Sequence, residues 1–375
     1  MKKFFEYASL IGIFSLVLLF TACDDKKNSD TLKIACNLPM TGDLSIYGES
    51  VRYGVKLAME ELEDSLKLYD IKIEYDFQDN ASNAKNAVSI MKSQQLKGFD
   101  IYISGITNQT LAIIDEVNKT NSPHFIWSFY PLTLEKGDNL YRTWVDYPKE
   151  AEYFIRYLKE QKPEAKKIAC LYLDAVSIQE LFNKLFIPNV KDEYEVVFSE
   201  SFDIGTKDFK NLVLKVKQSG ADVVFINGWE NHLVQIIREA QSQNLKKEGN
   251  MVFTFDLLDA INKLDKSSLD GLVANIPLYE IESSDEKDKW KTKFEKVNNK
   301  KPNYTSAYAY DFAYVMFEMA KKYKNSKREN FNIEDYIFDI NQKGITGNLR
   351  FSEEGDLIGV YKTCIYKDGV FHPLN

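Results

Sequence analysis

Aromatic, amide, hydroxyl and acidic residues follow several apolar stretches of this sequence, at positions where they could hold a small molecule. Small-ligand pockets contain apolar or aromatic walls and a few polar groups that fix the orientation of the ligand. Here the aromatic residues supply walls, the neutral polar residues supply hydrogen bonds, and two acidic residues supply negative charge. The candidate ligand-binding residues are Tyr47, Gln109, Thr110, Trp127, Ser128, Tyr130, Trp229, Glu230 and Asp256.

For three of these candidates, the sequence also bears on their place in the fold. Trp229 directly follows Asn227 and Gly228 at the end of an apolar stretch, which favours a place at the loop surface. Tyr130 could instead belong to the hydrophobic core. Asp256 ends an apolar stretch and is costly to bury without a partner. It could hold a ligand cation, or it could be the N-cap of the next helix.

Catalytic and nucleic-acid functions have little support in the sequence. It has no GxSxG, HExxH, P-loop or GxGxxG pattern, and its three histidines are His124, His232 and His372. His232 lies within a helical pattern, His372 is close to the C-terminus, and His124 precedes a strand-like stretch. We therefore expect no enzyme activity, no cofactor and no metal site. The net charge of −8 argues against a nucleic-acid partner.

The first residues predict an export signal. Lys2 and Lys3 precede an apolar run that is too short to span a membrane comfortably. The sequence Phe20-Thr21-Ala22-Cys23 then resembles a bacterial lipobox, in which the cysteine is acylated and becomes the mature N-terminus. We expect Cys23 to carry a lipid that anchors the chain on the extracytoplasmic face of a membrane, in the periplasm if the host is Gram-negative. A secretory signal cleaved elsewhere is the alternative.

The sequence KIAC occurs twice, at Lys33–Cys36 and at Lys167–Cys170. From each copy onward, short apolar strand-like stretches alternate with helix-like ones. This alternation predicts parallel sheets that are covered by helices. Because 375 residues exceed one hydrophobic core, we expect an α/β fold with two Rossmann-like lobes. The lone cysteines in these stretches are interpreted as small buried hydrophobic residues.

The cleft between two such lobes is the expected binding site. Ligands of open parallel sheets bind at the carboxyl ends of the strands. The candidate residues follow predicted strands of both halves of the sequence. We therefore expect them to line one cleft.

At this point the sequence resembles a known family. LPMTGDLSIYGESVRYGVKLAMEELED at Leu38–Asp64 resembles the opening of type I periplasmic binding proteins of the leucine/isoleucine/valine-binding group. Other similar stretches follow in the family's order: DFQDNASNAKNAV, IYISGITNQTLA, GTKDFKNLVLKVKQSGADVVFINGWE, YTSAYAYDFAYVMFEMAK and GITGNLRFSEEGDLIG. The resemblance implies two lobes joined by a hinge of three crossings.

The resemblance also implies a function and roles for particular residues. A member of this family captures a small ligand, such as an amino acid or a related metabolite, and delivers it to the permease of an ABC importer. By position, Gln109 or Thr110 and Ser128 match the residues that hold the ligand's polar groups. Asp256 matches the acidic partner of the amine, and Trp229 matches an aromatic wall. The family expectation is a monomer.

Some alternatives stay open. Gln109 stands where a small hydroxyl residue is usual, and Ile178 and Gln179 replace a usual Tyr-Gly. Short amides, aromatic acids and other small metabolites therefore remain candidate ligands. A lipoprotein of the same fold could also act as a sensor or regulator of a cell-envelope partner. The expected division is a signal peptide at 1–22, a tether at 23–31, lobe 1 at 32–145 and 278–343, and lobe 2 at 146–277 and 344–375.

Overall fold

The fold consists of two α/β lobes, each built on its own sheet. No helix in the described part of the chain is long and apolar enough to cross a bilayer. The structure is a computed structural model, and it describes residues 31–128, 137, 139–143, 147–281, 283–326, 334–358 and 361–374.

The sheet of lobe 1 has five parallel strands in the order β2-β1-β3-β4-β5. Nearly every residue of β1, TLKIACNL, is buried, because helices cover both faces of this central strand. The strands are Thr31–Leu38 (β1), Lys72–Asp79 (β2), Ile101–Gly105 (β3), His124–Trp127 (β4) and Leu140–Arg142 (β5).

The sheet of lobe 2 has seven strands in the order β14-β13-β10-β9-β8-β6-β7. Its last two strands pair antiparallel, so the sheet is mixed rather than purely parallel. A separate antiparallel hairpin is formed by Gln342–Gly344 (β11) and Gly347–Leu349 (β12). The sheet strands are Lys167–Leu173 (β6), Glu195–Phe202 (β7), Val223–Ile226 (β8), Met251–Phe253 (β9), Val273–Pro277 (β10), Tyr361–Lys367 (β13) and Val370–Pro373 (β14).

Helices connect the strands and cover the sheets. A π-helical turn at Leu181–Phe186 joins α5 to α6, and a 3-10 turn at Ile261–Lys263 follows α9. In chain order the helices are Ser45–Leu68 (α1), Ala84–Lys97 (α2), Thr107–Val117 (α3), Tyr147–Gln161 (α4), Val176–Glu180 (α5), Ile187–Val190 (α6), Lys210–Ser219 (α7), Glu230–Ser242 (α8), Leu257–Ala260 (α9), Lys266–Leu269 (α10), Leu278–Ile281 (α11), Asp285–Asn298 (α12), Tyr304–Ser326 (α13) and Glu334–Ile337 (α14).

The chain returns to lobe 1 late, because α13 packs along α1. At their contact a Cβ on Gly54 would lie only 2.2 Å from the backbone oxygen of Ser306. Only glycine allows the two helix backbones to approach so closely. This packing joins a late part of the chain to the first sheet and fixes α1, which carries a candidate site residue.

The two KIAC stretches occupy equivalent positions. One lies in β1 between β2 and β3, and the other lies in β6 between β7 and β8. The order β2-β1-β3-β4-β5 is repeated as β7-β6-β8-β9-β10. Cys36 and Cys170 are buried and free, and burial raises the pKa of both thiols. The interpretation of these cysteines as small buried residues is confirmed.

Candidate ligand-binding site

The two lobes meet through the segments that follow their strands. The Tyr47 hydroxyl of lobe 1 lies 3.1 Å from Oδ2 of Asp259 in lobe 2. Asn108 of lobe 1 lines one cavity together with Trp229 of lobe 2. We call the space between these segments the cleft.

Tyr47 reaches the cleft from the first turn of α1. The neighbouring Gly48 lies against the segment that leaves β1, since a Cβ there would be 2.3 Å from the oxygen of Pro39. Burial and the Asp259 and Asp256 carboxylates raise the pKa of the Tyr47 phenol. The phenol is therefore neutral at physiological pH and can donate to Asp259.

An apolar pocket lies in the wall of lobe 1. Trp127 ends β4 and is buried, with its ring against this pocket. The pocket is small, since its cavity volume is about 10 Å³, which is room for about one water-sized group. Its lining is Leu38, Pro39, Tyr47, Gly48, Val51, Gly105, Ile106 and Trp127.

The N-terminus of α3 provides hydrogen-bond donors beside this pocket. The helix begins at Thr107, and its N-cap residue Ile106 makes no side-chain cap. The first backbone N–H groups of a helix have no partner within it, and this end carries partial positive charge. The Ser128 hydroxyl donates to Thr107 Oγ1 at 3.1 Å, so two hydroxyl groups adjoin the helix end. This arrangement suits a carboxylate.

A buried polar chain supports the same helix. Ser104 Oγ lies 2.9 Å from Thr110 Oγ1 and 2.8 Å from His124 Nε2. Burial lowers the pKa of His124 to about 3, so the ring is neutral. Gln109 is only 3% exposed, and its Oε1 has no hydrogen-bond partner in the described part of the chain. Thr110 and His124 therefore serve the packing of α3, whereas Gln109 keeps an unused acceptor.

Asp256 is the acidic residue held most firmly in lobe 2. It follows β9, is 5% exposed, and accepts hydrogen bonds from Asn227 Nδ2 at 2.8 Å and Thr254 Oγ1 at 2.5 Å. Glu150 fixes the preceding residue, because its Oε1 accepts the N–H of Phe255 at 3.2 Å. Asp256 occupies the N-cap position of α9 but makes no side-chain cap hydrogen bond. Helix capping therefore does not explain why a carboxylate occupies this position.

A second carboxylate, Asp259, lies one helical turn further on. Burial, Asp256 and the Glu230 and Glu280 carboxylates raise the pKa of Asp259 to about 7. Burial raises the pKa of Asp256 to about 6. In the described part of the chain neither carboxylate forms an ion pair with Lys, Arg or His. The wall of lobe 2 thus presents one buried and one partly buried carboxylate, with no cation paired to either among the described residues.

Trp229 and Glu230 form the rim of lobe 2. Trp229 is the N-cap residue of α8 and is 39% exposed. Its backbone N–H donates to His232 Nδ1 at 3.3 Å, and the two rings stack with centroids 6.3 Å apart. Glu230 pairs with Lys263 at 2.8 Å, which neutralises it. Trp229 is placed to contact a ligand, whereas Glu230 already has a partner.

The outer part of the cleft is a larger cavity with both polar and apolar lining. It holds about 1150 Å³ of empty space, counted out to open solvent. Gln179 and Asn183 line it and are joined to each other, and Gln179 Nε2 donates to Asp174 at 2.9 Å. Lys184 also lines the cavity and pairs with Glu180. This part of the cleft is wide enough to hold a small solute beside Trp229.

Two of the residues predicted from the sequence fall outside the described part of the chain. Tyr130 and Cys23 lie outside the described residues. The other eight candidate residues all belong to segments that border the cleft or support it. Their roles in binding stay predictions.

Comparison with known proteins decides the family. The sequence profile of the family described as periplasmic binding protein matches residues 31–334 of this chain. The chain belongs to the periplasmic binding protein family. The match covers β1 through the beginning of α14, and so includes the first sheet, the five strands β6 to β10 of the second sheet and both walls of the cleft.

The relatives of this periplasmic binding protein carry amino-acid names. The Leu/Ile/Val-binding protein homolog 3 of Brucella melitensis is 24% identical, over only 51% of this chain and 52% of that protein. The leucine-, isoleucine-, valine-, threonine- and alanine-binding protein of Pseudomonas aeruginosa is 23% identical over 88% of each chain. The chain thus spans about half of the first relative and most of the second.

Solved structures share the fold of this periplasmic binding protein. The branched-chain amino acid transporter substrate-binding protein LivJ of Streptococcus pneumoniae, in complex with isoleucine, superposes with a TM-score of 0.74. It is 19% identical, and the alignment covers 91% of this chain and 97% of that one. A solute-binding protein of Rhodopseudomonas palustris, in complex with 3,4-dihydroxybenzoic acid, gives 0.77 at 17% identity, over 92% and 96%.

These comparisons confirm three sequence-based expectations. The resemblance to the leucine/isoleucine/valine-binding group, the two-lobed α/β fold and the assignment as a binding protein rather than an enzyme all hold. Sequence reasoning missed Asp259 and Tyr304 as site residues. Burial and the Asp259, Tyr47 and Asp256 groups raise the pKa of Tyr304, which places its phenol beside them. Asp259 could have been found, since it stands three positions after Asp256.

Proposed function

We propose that this chain is an extracytoplasmic solute-binding protein that captures an amino acid between its two lobes. The observation that carries the proposal is the opposition of charge across the cleft. Lobe 1 offers the N-terminus of α3 with the Thr107 and Ser128 hydroxyls, and lobe 2 offers Asp256, which has no ion-pair partner among the described residues. A zwitterion matches both walls.

The chemistry of each wall explains which end of the ligand it would hold. The α-carboxylate would accept hydrogen bonds from the free N–H groups of α3, where the helix dipole favours negative charge. The α-ammonium would donate to Asp256 and neutralise a buried charge that is costly to leave unpaired. The apolar pocket beside Trp127 would take part of the side chain.

The acidic wall distinguishes between the ligand classes found among similar proteins. Relatives are named for leucine, isoleucine and valine, whereas some solved neighbours hold benzoates. An aromatic acid has a carboxylate for α3 but no cation for Asp256 and Asp259. Burying two carboxylates beside an uncharged ring is unfavourable. This supports an amine-bearing ligand over a benzoate.

The sequence features at the N-terminus support a lipid anchor and a transport role. Cys23 follows an apolar run and small residues, as in bacterial lipoproteins. Anchored beside the membrane, the protein would deliver its ligand to the permease of an ABC importer as a monomer. Closure of two lobes around a ligand is the hinge motion that such delivery uses.

The direct test is a thermal-shift screen of the purified mature protein. The protein is first unfolded and refolded to remove carried-over ligand. The standard amino acids, benzoate and 3,4-dihydroxybenzoate are then added one at a time. A ligand at about 100 times its Kd stabilises the folded state by about 2.7 kcal/mol, which raises Tm by several degrees.

The outcomes separate the alternatives. Stabilisation by an amino acid and not by the benzoates is the expected result. Stabilisation by the benzoates alone would contradict the zwitterion site but keep a solute-binding role. No shift with any compound would contradict solute capture and favour a sensor or regulator of a cell-envelope protein.

A further inference from the structure

We infer that the cleft selects a ligand with a second cationic group, so that basic amino acids such as lysine or arginine bind better than neutral ones. The inference rests on the proposed function, since it assigns the amino-acid class of that same site. Asp256 takes the α-ammonium, and Asp259 takes the cation of the side chain. The Tyr47 hydroxyl, at 3.1 Å from Asp259, positions the second carboxylate.

The charge of the site is the first argument. A neutral amino acid would bring one ammonium to a wall that holds two carboxylates, the buried Asp256 and the partly buried Asp259. Both lie on one helical turn, where residues three apart have Cβ atoms about 5–6 Å from each other. A ligand with two cations on a flexible methylene chain could neutralise both. Each carboxylate would then have its own partner rather than a shared one.

The surrounding charges make a cation beside Asp259 more favourable. Glu230 and Glu280 also act on Asp259 and raise its pKa. Glu230 is paired with Lys263, and Glu280 is influenced by Lys291 and Lys287, but these cations do not reach Asp259. An external cation would therefore stabilise the charged form of Asp259.

An unused hydrogen-bond acceptor is an independent observation. Asn227 is 1% exposed, and its Nδ2 donates to Asp256 and to Thr254 Oγ1 at 3.0 Å. Its Oδ1 is buried and has no donor in the described part of the chain. The wall that holds Asp256 therefore has an acceptor for which the described residues supply no donor. Ammonium and guanidinium groups supply several such donors each.

A metal ion fits this wall less well. In the part of the chain that the structure describes, no group of three or more His, Cys, Asp or Glu side chains is arranged to hold a metal. Two carboxylates with amide and phenol neighbours suit an organic cation, which donates directional hydrogen bonds.

The experiment uses isothermal titration calorimetry on the mature protein at pH 8, where both carboxylates are charged. The probes are L-leucine, L-lysine and Nε-acetyl-L-lysine. The last probe keeps the α-groups and the length of lysine but removes the side-chain charge. The proteins are the parent, Asp259→Asn and the control Asp64→Asn, which makes the same change at an exposed site on α1.

The parent should bind L-lysine at least about tenfold more tightly than L-leucine or Nε-acetyl-L-lysine, as expected for one charge-assisted contact. Asp259→Asn should lose about tenfold for L-lysine while leucine stays within about threefold. Asp64→Asn should match the parent.

Two results would overturn the inference. Equal affinity of the parent for L-lysine and its acetylated form would show that the site does not recognise a second cation. An equal loss of leucine and lysine in Asp259→Asn would show that Asp259 does not choose between them. If Asp259→Asn fails to fold, the affinities of the parent for L-lysine and Nε-acetyl-L-lysine are sufficient to test the inference. Binding of leucine without lysine would overturn this inference and leave the proposed function intact, whereas binding of no amino acid would end both.

Discussion

The hydroxyl of Tyr47 lies 3.1 Å from the carboxylate of Asp259, although 212 positions separate them in the sequence. This hydrogen bond joins the first helix of lobe 1 to the acidic turn of lobe 2. It spans the cleft and places a neutral phenol against a partly buried acid. Under the proposed function, closure of the lobes and recognition of the ligand's charge would share this contact.

Tyr47→Phe should weaken the closed state. The substitution removes the hydroxyl and keeps the ring that lines the apolar pocket. Because a neutral hydrogen bond contributes about 0.5–1.5 kcal/mol, we expect ligand affinity to fall about 2- to 10-fold. Calorimetric titration measures the affinity. Tyr53→Phe is the control, since this phenol of the same helix donates to Glu49 of its own helix at 3.4 Å. Equal losses in both variants would contradict the role of the cross-cleft contact.

Asp256→Asn should discriminate between ligands with and without an amine. Loss of the charge-assisted hydrogen bond should cost an amine-bearing ligand about 1.5–3 kcal/mol of binding free energy. A neutral amide should lose less, because it never paired with the charge. Titration of both ligand types into parent and variant gives the comparison. The same loss for both would remove the amine-partner role of Asp256.

The pKa of Asp259 predicts how stability depends on pH. Its pKa is raised from 3.8 to about 7 in the folded protein, so the folded state binds more protons than the unfolded state between these values. Stability of the ligand-free parent should therefore fall as pH rises through this range, by up to about 1.4 kcal/mol per pH unit from this group. Asp259→Asn should remove that fall.

Urea denaturation at pH 5, 6.5 and 8 checks this expectation. The variant should gain stability relative to the parent as pH rises. Asp311 is also buried with a pKa raised to about 6, but it is present in both proteins and cancels in the comparison. Asp64→Asn should follow the parent at each pH. Parallel stability curves for Asp259→Asn and the parent would contradict the assignment.

Trp229→Ala should weaken ligand binding strongly. The half-exposed indole is a rigid wall of the cleft, and truncation of such aromatic side chains often costs 2 kcal/mol or more, that is, about 30-fold. Trp229→Phe should recover part of the loss because a flat ring remains. Competition binding measures both. Unchanged ligand affinity in Trp229→Ala would show that Trp229 does not line the binding site.

Cys23→Ser should release the protein from the membrane. The serine cannot form the thioether to lipid, whereas the apolar signal before it stays the same. Fractionation of cells with detection of the chain in membrane and soluble fractions measures the effect. Ala22→Gly, which keeps a small residue before the cysteine, is the control. Retention of the Cys23→Ser protein in the membrane would contradict lipid anchoring at this residue.

Much of the fold could be predicted from the sequence. The alternation of strand and helix patterns after Lys33–Cys36 and Lys167–Cys170 predicted parallel sheets, because period-2 and period-3.6 apolar spacing is local information. The equivalent places of these two stretches in their sheets follow from the repeated order of strands. The antiparallel β13 and β14 were not predicted, because a strand's direction depends on the path of the chain rather than on its own residues.

The site could be predicted only in part. Asp256 and Trp229 were found because each interrupts a local pattern at the end of an apolar stretch. Asp259 was missed, because its place in the site depends on a contact with Tyr47 of the other lobe, which the sequence does not show. The neutral His124 was likewise not predictable, since only burial against Ser104 reveals that it supports α3.

The most direct test of the central claim is a titration that removes one end of the ligand at a time. The best-binding amino acid of the screen is compared with its Nα-acetyl and α-amide forms, by calorimetry on the parent protein. Recognition of a zwitterion between α3 and Asp256 predicts that each modification weakens binding more than about tenfold. Undiminished binding of the acetylated form would contradict the role of the acidic wall, and undiminished binding of the amide would contradict the role of the helix end.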